Sequence, residues 1–74
     1  MNVSDEWYLL LKLRSLHIRC DAFDGVSSFE QRRERMRAAI IPNREITYTV
    51  MDGKRITLGQ QFSLIYRQAL EVPK

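Results

Sequence analysis

The 74-residue chain holds one histidine, His17, and one cysteine, Cys20, which are three residues apart. On a helix this spacing puts two side chains on one face, close enough to touch. A thiol nucleophile needs a base beside it and a third group that orients the base. Both residues fall on an apolar stripe with no acidic side chain to orient His17. We therefore interpret them as a buried small residue and a core-edge histidine, and predict no catalytic residues.

The chain also lacks the residue patterns of metal and cofactor sites. Asp21 and Asp24 lack the further oxygen ligands of a calcium loop, so we interpret them as turn residues. A single cysteine and a single histidine cannot supply a zinc site. The segment Asp52-Gly53-Lys54 lacks the spacing of a phosphate loop. The sequence predicts no metal, no cofactor and a protein that is not an enzyme.

The positive charge of the chain is concentrated in residues 27–44, where five arginines and two glutamates give +3, equal to the net charge of the whole chain. Clustered arginines are typical of surfaces that bind phosphates. Here they scatter around a predicted helix, and Glu30 and Glu34 lie three residues before Arg33 and Arg37, where they can pair. We interpret the segment as a solvated charged helix. The candidate contacts to phosphate or to an acidic partner are Arg32, Arg35 and Arg44.

Residues 46–58 predict a β-hairpin, because apolar and polar residues alternate on both sides of Asp52-Gly53. A two-residue turn there would put the apolar residues of the two strands on opposite faces. A three-residue loop over residues 51–53, with Gly53 in the left-handed region as a bulge, puts them all on one face. The predicted pairs are Val50 with Lys54, Tyr48 with Ile56 and Ile46 with Leu58.

Three helices are predicted around this hairpin. Ser4 and the acidic residues after it begin a helix over about residues 5–20. A capping box at residues 27–30 begins a second helix, which ends at residue 39 or 40 ahead of Pro42. Thr57 and Gln60 form a further capping box for a helix over about residues 58–71, ended by Pro73. Its apolar stripe is Phe62, Ile65, Tyr66 and Ala69, extended by Leu58 and Val72.

These elements predict the α+β class, as one small domain over residues 1–74. The order is helix, helix, β-hairpin, helix, with the helices packed on one face of a two-stranded antiparallel hairpin. An isolated hairpin is marginal in water, so the helices have to cover its apolar face. A domain of this size has a small core, and its stability can depend on a partner.

The first predicted helix is apolar on two sides, which means that both sides need a cover. A broad core stripe holds Leu9, Leu10, Leu13, Leu16, His17 and Cys20. Trp7, Leu11 and Ile18 gather on nearly the opposite side. Because tryptophan is frequent among the residues that dominate interfaces, we predict that this second face binds a partner. In the alternative interpretation, Trp7 covers the end of the core.

The sequence holds no run of about 18 apolar residues, so we expect no membrane span and no membrane partner. We also expect no signal peptide, because acidic Asp5 and Glu6 precede the apolar run Leu9-Leu10-Leu11. The cytoplasm is the expected compartment.

The helix, the Asp-Gly hairpin and the capped helix over residues 28–71 resemble the small bacteriophage head-completion proteins of the lambda W type. The similarity is carried by residues 46–57 (ITYTVMDGKRIT), followed by Phe62, Leu64, Ile65 and Leu70. The resemblance implies a protein of the virion that joins the filled phage head, at the portal ring, to the tail, in several copies. It also implies that Lys54 and Arg55 lie on the hairpin as partner contacts.

Two other functions are consistent with the residues. The first is a phage-type inhibitor or regulator that docks on a host enzyme such as RNA polymerase or a defence nuclease. It would use Trp7, Leu11 and Ile18, with the arginine-rich helix steering it to an acidic surface. The second is a nucleic-acid binder, for which binding would fall steeply with salt.

Overall fold

The computed structural model describes residues 3–25 and 28–70. Helix α1 spans Val3–Ser15 and helix α2 spans Phe29–Ile40, followed by a short 3-10 turn at Ile41–Asn43. Strands β1 (Thr47–Thr49) and β2 (Arg55–Thr57) form the hairpin, and helix α3 (Leu58–Tyr66) begins directly after it. The predicted α+β class and element order are confirmed.

The hairpin has the predicted register. Tyr48 pairs with Ile56, and the backbone N–H of Val50 donates to the carbonyl of Lys54 at 2.8 Å. Gly53 has a φ of 88°, which is the left-handed conformation that the bulge requires. The side chain of Asp52 accepts a hydrogen bond from the backbone N–H of Lys54 at 3.0 Å, which fixes the loop further.

The apolar face of the hairpin is only partly covered. Tyr48 and Leu58 are buried and Val50 and Ile56 are half-buried, but Ile46 is exposed. Ile46 lies ahead of β1, in the turn where its backbone N–H donates to the carbonyl of Asn43 at 3.1 Å. The expectation that all five residues share one covered face is therefore wrong for Ile46.

Helix α1 ends at Ser15, five residues before the predicted end. His17 adopts a left-handed conformation with a φ of 61°, and the N–H groups of His17 and Ile18 donate to the carbonyls of Arg14 and Leu13 at 3.0 and 2.9 Å. These two bonds form a Schellman motif, in which the left-handed position is usually glycine. The sequence has no glycine at this position, so its pattern predicts a helix that continues past the observed end.

Helix α2 begins one residue later than its predicted capping box. Ser28 is the N-cap, and its hydroxyl oxygen accepts a hydrogen bond from the backbone N–H of Gln31 at 3.1 Å. Ser27 lies outside the described residues. The end of α2 at Ile40 is as predicted, because the chain tightens into the 3-10 turn that contains Pro42.

Helix α3 begins at the predicted capping box, in which Thr57 and Gln60 exchange side-chain and backbone hydrogen bonds. It ends at Tyr66 instead of residue 71, because Arg67 turns left-handed with a φ of 52°. Ala69, predicted on the apolar stripe, is exposed, while Leu70 is buried. Residues 71–73, with Val72 and Pro73, lie outside the described residues.

The core lies between the three helices and the covered side of the hairpin. Its buried apolar residues are Leu9, Leu10, Leu13, Ala22, Met36, Ile40, Tyr48, Leu58, Phe62, Ile65, Tyr66 and Leu70. In the part of the chain that is described, no helix is long and apolar enough to cross a membrane.

We predict that Gly53→Ala lowers the free energy of unfolding by about 1 kcal/mol, measured by urea denaturation. No atom lies within 4 Å of the position of an added Cβ, so the cost comes from the left-handed backbone alone. Lys54→Ala, on the neighbouring exposed residue, is the matched control and should change the free energy by less than about 0.5 kcal/mol. An equal effect of both substitutions would contradict the bulge.

Candidate interaction surfaces

The most buried charged group of the described chain is the carboxylate of Glu6, whose residue is 1% exposed. The Nε of Arg32 donates to both carboxylate oxygens at 3.1 Å, and the Tyr66 hydroxyl donates to Oε2 at 2.9 Å. Burying a carboxylate is costly unless such donors replace its water. One group therefore connects α1, α2 and α3 through charge-assisted hydrogen bonds.

Two further arginines of α2 bind backbone carbonyls of other segments. Arg35 donates to the carbonyls of Asp21 and Asp24, both at 3.1 Å, in the connector after α1. Arg37 donates to the carbonyl of Leu70 at 2.9 Å and also contacts the side chain of Gln68, after α3. The arginine-rich helix is thus connected to the segment after α1 and to the segment after α3.

These contacts change the interpretation of the arginines that the sequence singled out. Arg32 and Arg35 are predicted to contact a partner, but their guanidinium groups bind other segments of the same chain, Arg32 where it is largely buried and Arg35 at the surface. The predicted ion pair of Glu34 with Arg37 is present at 3.3 Å. The prediction of a solvated charged helix is therefore correct only for the outer side of α2. Arg44 is exposed, and its guanidinium donates to the carbonyl of Ile41 at 2.9 Å.

Sequence reasoning missed the role of Glu6, although a signal was present. Glu6 precedes Leu9, Leu10 and Leu13 by three, four and seven residues, so it lies on the buried stripe of α1. Its place in the first helical turn accounts for an acidic residue there without a buried role. An acid on an apolar stripe predicts a buried partner, and α2 offered arginines to fill that role.

His17 and Cys20 do not lie on one helix face. His17 is exposed at the left-handed end of α1, while the half-buried Cys20 thiol lies 3.7 Å from the sulfur of Met36. Burial raises the pKa of the Cys20 thiol, which keeps it protonated at neutral pH. Among residues 3–25 and 28–70, no three His, Cys, Asp or Glu side chains are grouped so that they could hold a metal ion.

The outer side of α1 carries three large side chains in contact with water. Trp7, Tyr8 and Leu11 are 43%, 41% and 46% exposed, and their spacing of three and four residues puts them on one face. We call these three residues the α1 face. Trp7 also packs edge-on against Phe23, with ring centres 5.1 Å apart, so it belongs partly to the core edge.

Two members of the predicted partner surface, Trp7 and Leu11, are thus brought together, and the third is not. Because α1 ends at Ser15, Ile18 no longer continues the helical face. It is half-buried and packs against the core. Tyr8 takes its place in the exposed group, a residue that the sequence analysis did not select.

The hairpin loop is the second exposed surface. Met51, Asp52, Gly53, Lys54 and Arg55 are all exposed. The Arg55 guanidinium donates to the hydroxyl of Thr47 on the opposite strand at 2.7 Å. The loop is held in one conformation by the bulge at Gly53 and by the Asp52 side chain, and it presents both basic residues to solvent.

No family model, curated protein or solved structure matches the chain.

We predict that Glu6→Gln lowers the free energy of unfolding by roughly 2–4 kcal/mol, because it leaves the Arg32 charge without its carboxylate. Chemical denaturation at neutral pH measures the effect. Glu34→Gln, which removes an exposed pair with Arg37, is the matched control and should cost under about 1 kcal/mol. A Glu6→Met/Arg32→Met double variant should recover much of the loss, because it removes both charges together. Equal effects of the two glutamine variants would contradict the structural role of Glu6.

We also predict that stability falls in alkali, because two tyrosines ionise less readily in the folded state. Burial, with the nearby Tyr8, raises the pKa of Tyr48 to about 12, and burial and the Glu6 carboxylate raise the pKa of Tyr66. The folded state therefore keeps protons that the unfolded state releases near pH 10. This stability is fully present below about pH 10 and is lost as the pH rises toward 12.

The midpoint of urea denaturation, determined at several pH values between about 8 and 12, measures this loss of stability. Tyr66→Phe should show a smaller fall than the parent protein, and so should Tyr48→Phe, which removes the other buried tyrosine. An identical fall in all three proteins would contradict the assignment to Tyr66.

Proposed function

We propose that this protein is a non-enzymatic protein-interaction module that joins two larger protein bodies. The observation that carries the proposal is the α1 face, where Trp7, Tyr8 and Leu11 are adjacent and each more than 40% exposed. Scattered exposed apolar residues are normal, but a contiguous group is typical of protein contacts. Trp and Tyr are also the residues most enriched where interfaces gain their binding energy.

The hairpin loop supports a second, different contact. Lys54 and Arg55 are exposed on a loop whose conformation is already fixed, so little conformational entropy is lost on binding. The contact is polar and basic, unlike the α1 face. Two surfaces of different chemistry are what a joining protein needs, whereas an inhibitor of one enzyme needs a single surface.

The more specific form of the proposal is a phage head–tail joining protein at the portal. The resemblance to the lambda W type supports it, since it rests on the hairpin and on α3, and the predicted hairpin register and α3 cap are those of the structure. In this role Lys54 and Arg55 contact the portal or tail protein, and the α1 face is available for a further protein contact. The compartment that follows is the host cytoplasm during assembly and then the virion.

The docking of an inhibitor on a host enzyme is the second candidate, because the α1 face alone would suffice for it. The nucleic-acid candidate has less support. Arg32, Arg35 and Arg37 bind groups inside the protein, and their donors would have to leave those groups to bind phosphates.

The test is capture of partners from phage-infected lysate at moderate salt, read by mass spectrometry. We expect portal or tail proteins to be recovered, and their recovery to fall about tenfold for Leu11→Ser and for Lys54→Glu. The matched controls are Leu64→Ser, at a leucine of α3 that is 69% exposed, and Arg19→Glu, at an exposed arginine outside both surfaces.

The other outcomes separate the candidates. Recovery of one host enzyme at fixed stoichiometry, lost with Leu11→Ser but kept with Lys54→Glu, would replace joining by inhibition. Shifts of unrelated DNA duplexes, lost steeply as salt rises, would favour nucleic-acid binding. Unchanged recovery of partners by every variant would contradict both proposed surfaces.

A further inference from the structure

We infer that the α1 face binds a second copy of this chain, with the two α1 helices antiparallel. The inference rests on the proposed function of this face and names the protein that covers it. The pattern of side chains along α1 is complementary to itself when one helix is reversed.

The middle of the exposed side of α1 is a straight line of side chains. At about 100° per residue, Ser4, Tyr8, Leu11 and Ser15 lie within about 60° of one another. Two large residues therefore lie between two small ones. When the second helix is reversed about the midpoint between Leu9 and Leu10, each Tyr8 lies level with Leu11 of the other copy, and each Ser4 with Ser15.

The two edges of this line carry complementary groups. Asp5 and Lys12, seven residues apart, lie along one edge, and Trp7 and Arg14 lie along the other. Asp5 is exposed, and Lys12 is half-buried with its Nζ 4.7 Å from the centre of the Tyr48 ring. The Arg14 guanidinium lies 5.8 Å from the ring of its own Trp7.

A two-fold axis perpendicular to both helices brings like edges together. On one edge, Asp5 meets Lys12 of the second copy, with an axial offset of about 3 Å that their side chains can span. On the other edge, Trp7 meets Arg14 of the second copy at the same offset. The dimer therefore gains two ion pairs and two cation–π contacts around an apolar centre.

Reversal also favours the helix dipoles. The acidic first turn of each α1, with Asp5, lies beside the basic last turn of the other, with Lys12 and Arg14. A parallel arrangement, with the two-fold axis along the helices, would bring unlike edges together and place Lys12 beside Arg14 of the second copy. Like charges in register disfavour that arrangement.

One short helix from each copy buries less area than the roughly 800 Å² per partner of a stable interface. We therefore expect a weak dimer that forms as the concentration rises. Sedimentation equilibrium of the full chain, from about 10 µM to about 1 mM, should show a mass that rises from the 8.8 kDa of one chain toward twice that value.

Charge reversal tests the antiparallel geometry. Asp5→Lys and Lys12→Glu should each weaken self-association about tenfold, because each turns two attractive pairs into two repulsive ones. An equimolar mixture of the two variants should associate as tightly as the parent protein, since opposite charges then meet at both positions. Circular dichroism checks that each variant stays folded, and Lys54→Glu is the control for a change of charge elsewhere.

Several results would overturn the inference. A monomer at about 1 mM would do so, as would self-association that neither charge reversal weakens. So would a mixture of the variants that associates no better than each variant alone. If the protein is monomeric but Leu11→Ser still loses the portal or tail protein, the proposed function stands and the second copy does not. If Leu11→Ser also keeps those partners, both fail.

Discussion

The buried carboxylate of Glu6 constrains the arrangement of all three helices. A charge with 1% exposure is tolerated only where hydrogen-bond donors take the place of water, and these donors are Arg32 of α2 and Tyr66 of α3. Their hydrogen bonds lie near 3 Å, so a shift of any of the three helices by a few ångströms would break at least one of them. Apolar contacts alone are compatible with several ways of packing the three helices. The hydrogen bonds of Glu6 are compatible with few of them.

Helix α2, which carries Arg32, contacts several other segments of the chain through its arginines. Its arginines hold α1 through Arg32, the connector after α1 through Arg35, and the segment after α3 through Arg37. Arginine suits this work because its planar group offers several donors and does not lose its charge. The basic charge of the middle segment is therefore largely structural. The exposed groups that we propose as partner contacts lie elsewhere, on α1 and on the hairpin loop.

The sequence was a good guide where local patterns decide the structure. The hairpin register follows from the alternation of side chains and the left-handed Gly53, and the start of α3 from Thr57 and Gln60. The helix ends were not predictable in this way, since His17 and Arg67 adopt left-handed conformations that favour glycine. The segment after α3 is also fixed by a contact distant in sequence, the Arg37 guanidinium on the carbonyl of Leu70, which local patterns do not reveal.

The early end of α1 also decides the candidate surface. A helix continued to residue 20 would have carried Ile18 on its outer side, but the turn at His17 takes Ile18 to the core instead. The exposed group is then shorter and is centred on Tyr8 and Leu11, between the charges of Asp5 and Arg14. Each half-exposed side chain of the α1 face loses part of the free energy, roughly 25 cal/mol per Å² of apolar surface, that its full burial would contribute. In a domain this small that loss is considerable, and a protein partner on α1 would recover it.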